Sequence, residues 1–265
     1  MKLIFFTFLI FLSCFGAIAQ NSNVKDNLDP LWEIEQKIET AVAKMQRNGN
    51  SVDLDSISHS LGSFRKHSLN YAFNYWQAYA IYKKAEFLKD DQNNDSKVEK
   101  HLEKGIDILE KIPYKHADDY ILMAAFRVLK LQYEDIYLIP FSYDAIESSL
   151  QRAFELDDQN VRYFLVKAQY QESKIQLFSD KNLLVEKSLL QAIELSHKSS
   201  PRVNNRPTWG TEQAYMSLVE LYKEIGEVVQ AKQYLNEANH FFSKNYMVKK
   251  LDLELNLNNN PYFRH

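Results

Sequence analysis

Residues 215–238 read YMSLVELYKEIGEVVQAKQYLNEA, and the spacing of their apolar side chains decides the fold. Tyr215, Leu218 and Tyr222 recur at intervals of three and four, with Val219 beside them, so they share one face of a helix. Val228, Ala231, Leu235 and Ala238 form the matching stripe of a second helix. Ala231 and Ala238 are small enough to let two helix backbones approach closely. Gly226 stands between the stripes, where a residue without Cβ accepts the backbone angles that end a helix. The stretch encodes an antiparallel hairpin whose outer flank is still apolar, and such a flank needs a neighbour stacked on it.

Neighbours of the same pattern lie upstream. The second-helix triplet returns as Val98, Leu102, Gly105; as Ile146, Leu150, Ala153; and as Val185, Leu189, Ala192. Each follows another helical stretch. Ahead of the first, Tyr75, Ala78, Tyr79 and Tyr82 repeat the register of Tyr215, Leu218, Val219 and Tyr222. Hairpins are expected at about 70–113, 117–157, 160–197 and 211–242, with a capping helix at 245–257. Asp29-Pro30 opens an earlier helix, since proline is tolerated in a first turn. Its Ile34, Ile38 and Ala41 echo the triplet, so it reads as the second helix of a worn first repeat. Ser96 and Glu99 form a capping-box pair for the helix carrying Val98.

This arrangement resembles the tetratricopeptide repeat (TPR). The TPR template W-x2-L-G-x2-Y followed by A-x3-F is met at Tyr215–Leu235 with Tyr for Trp, Val for Gly and Leu for Phe. The last small residues of the four triplets recur at 48, 39 and 46 residues, longer than the TPR period of about 34, so the units carry extended helices or loops. The layout is also similar to a poorly characterised group of exported bacterial TPR-like proteins. In that group an aromatic helix like YWQAYAIYKKA comes early, an Asn-x-Arg helix start sits mid-chain, and Pro-x-Trp-Gly precedes the final repeat. Asn160-Val161-Arg162 and Pro207-Thr208-Trp209-Gly210 occupy those places, and the resemblance covers about residues 70–250. Phe178-Ser179-Asp180-Lys181 departs from the group, which has a glycine-rich turn there. The resemblance implies an all-α, TPR-like solenoid with a right-handed superhelix over residues 29–257.

The first 19 residues read as a signal peptide: Lys2, an apolar run from Leu3 to Phe15, and Ala17-Ile18-Ala19 as the small-x-small cleavage site. Residues 20–28 read as a flexible lead and 258–265 as a tail. Cleavage after Ala19 removes Cys14, the only cysteine, and leaves an exported, periplasmic chain without disulfides. The alternative is a membrane-anchored lipoprotein acylated at Cys14, although Phe11-Leu12-Ser13 matches the usual context poorly. No later segment approaches the length of a membrane span. A net charge of -3 over 265 residues gives no bulk attraction to nucleic acid or an anionic membrane.

Motifs for chemistry are missing. Asp91–Asp95 begins like a calcium loop, but Ser96 and Leu102 stand where Gly and Glu are required. His116 with Asp118 and Asp119 lacks metal-ligand spacing, and acids at a helix start simply complement its dipole. No nucleophile elbow, Ser-x-x-Lys or glycine-rich phosphate loop occurs. The reading is therefore of no catalytic residue, no metal and no cofactor.

The expected function is a scaffold that binds a protein or peptide in the concave groove lined by the first helices of the hairpins. Trp76 lies about 100° off the Tyr75–Tyr79–Tyr82 stripe and is expected to face that groove with Lys83 and Lys84. Phe164 and Gln171 join from the third hairpin, and Met216, Glu220 and Lys223 from the fourth. The competing reading has a neighbouring helix or the Trp209 loop covering them. A small-ligand binder or enzyme is the remaining alternative, and it requires a closed pocket with convergent polar groups.

Overall fold

A computed structural model describes residues 29–63, 70–174, 181–198, 207–243 and 245–257. The expected signal peptide, Cys14, the lead, the tail, most of 199–208 and the 178–180 turn lie outside the described residues. Within these there are eleven α-helices and no strand. They are α1 (Asp29–Asn48), α2 (Val52–Ser63), α3 (Asn70–Leu88), α4 (Asp95–Glu110), α5 (Ala117–Lys130), α6 (Ile139–Leu156), α7 (Val161–Ser173), α8 (Lys181–Lys198), α9 (Thr211–Glu224), α10 (Val228–Phe242) and α11 (Tyr246–Leu257). None of the described helices is long and apolar enough to cross a membrane.

Helices pair in sequence: α3 with α4, α5 with α6, α7 with α8, and α9 with α10 make the most extensive contacts. The triplets cause this pairing. Val98, Leu102, Ile146, Ala153, Leu189, Ala192, Ala231, Leu235 and Ala238 are all buried, each large one contributing about 1.5–3 kcal/mol of transfer free energy. Gly226 takes φ +84° between α9 and α10, the left-handed conformation that lets the chain reverse there. Successive pairs then pack through α4 on α5, α5 on α7 and α8 on α9.

Gly105 serves close approach. The Phe126 ring lies directly against its Cα, and an added Cβ would overlap the ring. Phe126 itself is fully buried and meets Tyr82 edge-on at 5.3 Å, so it has no room to yield. Gly105→Ala gains helix propensity but overpacks the α4–α5 seam, and a net loss of ~1–3 kcal/mol is expected. Urea unfolding of the two proteins measures it, and an unchanged midpoint would refute the close-approach account.

Two local expectations are revised. Helix α4 starts at Asp95, and its N-cap Asn94 makes no side-chain capping bond. Asp91 takes over the role one turn earlier, accepting from the Asn93 amide at 3.0 Å at the start of a short 3-10 turn. More consequentially, α1 packs on α3 more than on α2 and touches α11. The second helix of a worn first repeat would face the helix before it, whereas the described contacts of α1 are with α2, α3 and α11. An open row would keep its first and last helices apart, whereas here they meet.

Candidate functional site

Helix α1 is joined to the later helices by a buried polar network. Helix α7 begins with Asn160 accepting from the Arg162 amide at 3.0 Å, an N-cap that satisfies a free helix-start donor. That cap points the Arg162 side chain inward. Its guanidinium donates to Asp118 Oδ1 of α5 at 2.8 Å and to the Pro207 carbonyl. Asn160 Nδ2 also donates to Asp118 at 3.0 Å. The Trp209 indole N–H donates to Tyr75 Oη of α3 at 2.8 Å, and its ring stacks on Tyr79 at 5.2 Å. Glu35 of α1 accepts the backbone N–H groups of Thr208 and Trp209 at 2.7 and 3.0 Å. The Asn-x-Arg and Pro-x-Trp-Gly stretches are thus two halves of one joint, and Glu35 fastens α1 to it.

With α1 held there, a groove of about 760 Å³ opens between α1, the end of α3, α9 and α11. Val42, Met45, Phe87, Leu88, Met216 and Met247 supply its apolar lining. Its polar lining includes Glu39, Lys83, Glu86, Glu212, Tyr246 and Lys250. Lys83 is buried and donates to Glu86, while Glu39 accepts from the Tyr79 hydroxyl at 2.8 Å. Burial alone would lower the Lys83 pKa, but Glu86, Glu39 and Glu212 outweigh it and hold the ammonium above its ordinary value. Glu212 moves the other way. Burial, then the Glu39 charge, pushes its carboxyl up to about 7.

That shift has a definite sign. A carboxyl that binds its proton more tightly when folded stabilises fully below its unfolded value of 4.5, and the contribution is lost as pH rises through about 7. Glu212→Gln should therefore match the parent at pH 4 and exceed it at pH 8. The expected gain is ~1–2 kcal/mol, discounted from the full shift for the side chain's residual exposure. Paired urea titrations at the two pH values check this, and a gain equal at both would remove the linkage.

The structure brings two of the expected groove residues, Lys83 and Met216, to this groove. Trp76 is only 3% exposed and packs edge-on to Tyr75 and Tyr79, so it faces the core and not an open surface. Lys84 points to the far side of α3, bonded to both Asp55 oxygens at 2.7 and 2.8 Å. There it borders a separate cavity of about 510 Å³ with His101 and Lys104. Phe164 is half-buried against Tyr163. Gln171 accepts from Ser188 Oγ at 2.8 Å across the α7–α8 pair. Glu220 and Lys223 pair at 2.9 Å, and Lys223 also reaches Glu254 of α11 at 3.3 Å. Asp119 accepts from the His116 amide as a helix cap, and Asp118 holds Arg162.

Sequence reasoning missed Glu39, Glu86, Glu212, Tyr246 and Met247. One signal existed, since Glu212 and Met216 lie four apart on one helix face.

No protein-family model matches the sequence, and no curated protein does. Among solved structures, the HusA haemophore from Porphyromonas gingivalis is similar, with a TM-score of 0.52 and 14% identity over 71% of this chain and 92% of that one. At that identity the likeness concerns the helical fold alone.

Proposed function

We propose that this chain is an exported, non-catalytic binder, a TPR-like set of hairpins curved until α1 meets α11, that holds a segment of a protein or peptide partner in the groove between α1, α3, α9 and α11. The observation that carries the reading is the groove's composition. Methionines from two different helices, Met216 and Met247, meet there beside half-buried Phe87 and Leu88, with Met45 of α1 buried beneath them. Thioether side chains adapt to irregular apolar surfaces, a property of sites that accept polypeptide segments. Charges of both signs ring that floor, as at the rim of a peptide-binding groove. The mature chain would begin after the signal peptide, with the Cys14-acylated lipoprotein as the variant that places the same groove at a membrane surface.

The test is site-specific photo-crosslinking in envelope extract. A crosslinker at Met247 should capture a discrete partner, whereas one at Tyr114, 86% exposed in the α4–α5 connection, should not. Equal capture at both positions would overturn the groove assignment.

A second reading is favoured by one observation, the haemophore among the structural neighbours. Met216, Met247 and Tyr246 carry the thioether and phenol groups that ligate haem iron in other proteins. Against it, the groove lining holds more carboxylates than ammonium groups, unfavourable for a porphyrin bearing two carboxylates of its own. Haemin titration should leave the Soret band as it is in buffer. A shifted band that disappears in Met216→Ala or Met247→Ala would install the haem reading in place of the first.

A further inference from the structure

The groove's charge names the chemistry of its occupant. On the reading that it holds a partner segment, we propose that the segment is basic, its Lys or Arg side chain seating between Glu39 of α1 and Glu212 of α9 while its apolar side chains lie on Met216 and Met247.

The groove lining contains five carboxylates, Glu39, Glu86, Asp90, Asp91 and Glu212, against the lysines Lys83, Lys89 and Lys250. The excess is concentrated where the walls are buried. Lys83 is the cation at the centre, and its hydrogen bond goes to its own helix neighbour Glu86. Lys250 is turned along α11 toward Glu254, at 3.9 Å. Glu39 has the neutral Tyr79 hydroxyl as its hydrogen-bond donor, and Glu212 lines the same wall beside the neutral Asn245. Both carboxylates therefore face the groove among neutral neighbours and share the field of one lysine that is already bonded elsewhere.

Burial first, and the neighbouring Glu39 charge second, raise the Glu212 carboxyl, since a like charge held close in a partly buried site disfavours ionisation. A guanidinium or ammonium entering between them relieves that repulsion and gains charge-assisted hydrogen bonds. An acidic occupant would meet added repulsion, so the rim selects by sign as well as by attraction. The apolar lining makes a free small cation a poor fit, because it would leave Met216, Met247 and Phe87 uncovered. A polypeptide that carries apolar and basic side chains together satisfies both parts.

Two fluorescent peptides of about fifteen residues provide the test. They share one apolar stripe, and their charged positions are Lys and Arg in one and Glu in the other. Anisotropy with the purified chain should show the basic peptide binding at least tenfold more tightly. Its affinity should fall as NaCl rises, because the contacts are ionic. The double variant Glu39→Gln, Glu212→Gln keeps the Tyr79 hydrogen bond and the side-chain volumes. It should lose about tenfold in affinity for the basic peptide while remaining folded by circular dichroism. Equal binding of the two peptides, or undiminished binding by the double variant, overturns the charge assignment. An uncharged peptide of the same stripe separates this from the broader reading. If it binds as well as the basic one and is lost in Met216→Ala/Met247→Ala, the groove holds a segment and only the charge assignment fails. If no peptide binds and crosslinking is no stronger at Met247 than at Tyr114, the groove reading fails as well.

Discussion

Arg162→Ala is expected to be the most destabilising single change outside the apolar core, at ~3–5 kcal/mol. The guanidinium is buried and bridges Asp118 on α5 to the Pro207 carbonyl, with the Trp209 ring 6.0 Å away. Removing it leaves the half-buried Asp118 carboxylate with Asn160 as donor but without its counter-charge, and the Pro207 carbonyl without the donor that met it, the circumstance in which breaking a buried pair costs far more than the pair itself contributes. Most of the loss comes from what is left behind. Arg162→Lys restores the charge but not the planar fork that reaches two acceptors on different segments, so it should recover only part of the loss. For a chain of this size the alanine change corresponds to a fall of ~10 °C in Tm. Thermal unfolding followed by circular dichroism decides the matter. A melting temperature within two or three degrees of the parent would mean the network is peripheral.

The physical limits of reading this chain from sequence show in particular residues. Tyr75, Tyr79 and Tyr82 lie at helical spacing and are buried, as a periodic stripe requires. Trp76 breaks that logic because α3 is covered by α1, α2, α4 and α5. On a helix surrounded by neighbours, an offset of 100° leads from one buried face to another. The same enclosure buries Lys83, whose charge is tolerated because Glu86 and the field of Glu39 and Glu212 compensate it. Ile34, Ile38 and Ala41 correctly describe an apolar face on α1, but spacing says which face is greasy and not which helix covers it. The covering partner was decided elsewhere, by Glu35 meeting backbone amides 173 and 174 residues away. A carboxylate that accepts from a loop's main chain leaves no pattern in either stretch. For the same reason the groove was only partly legible: its walls come from α1, α3, α9 and α11, which are far apart in the sequence.

Trp209→Ala carries the second large effect, and it ties the fold to the groove. The indole is 8% exposed, stacks on Tyr79 and donates to the buried Tyr75 hydroxyl. Deleting it costs ~3–5 kcal/mol through the lost transfer free energy and the cavity left beneath α3. Arg162 and Trp209 share partners, so Arg162→Ala with Trp209→Ala should lose less than the sum of the two. The functional consequence is distinct. Trp209 does not line the groove, but its backbone amide holds Glu35, and Glu35 fixes α1, which forms one wall. At 10 °C, where the variant should still be folded by circular dichroism, partner crosslinking at Met247 should drop about tenfold or more. Glu35→Ala should produce the same loss of capture with the indole intact. Undiminished crosslinking in either folded variant would show that α1 keeps its place without the latch, and that the groove is built by the apolar contacts of Ile38 and Met45 alone.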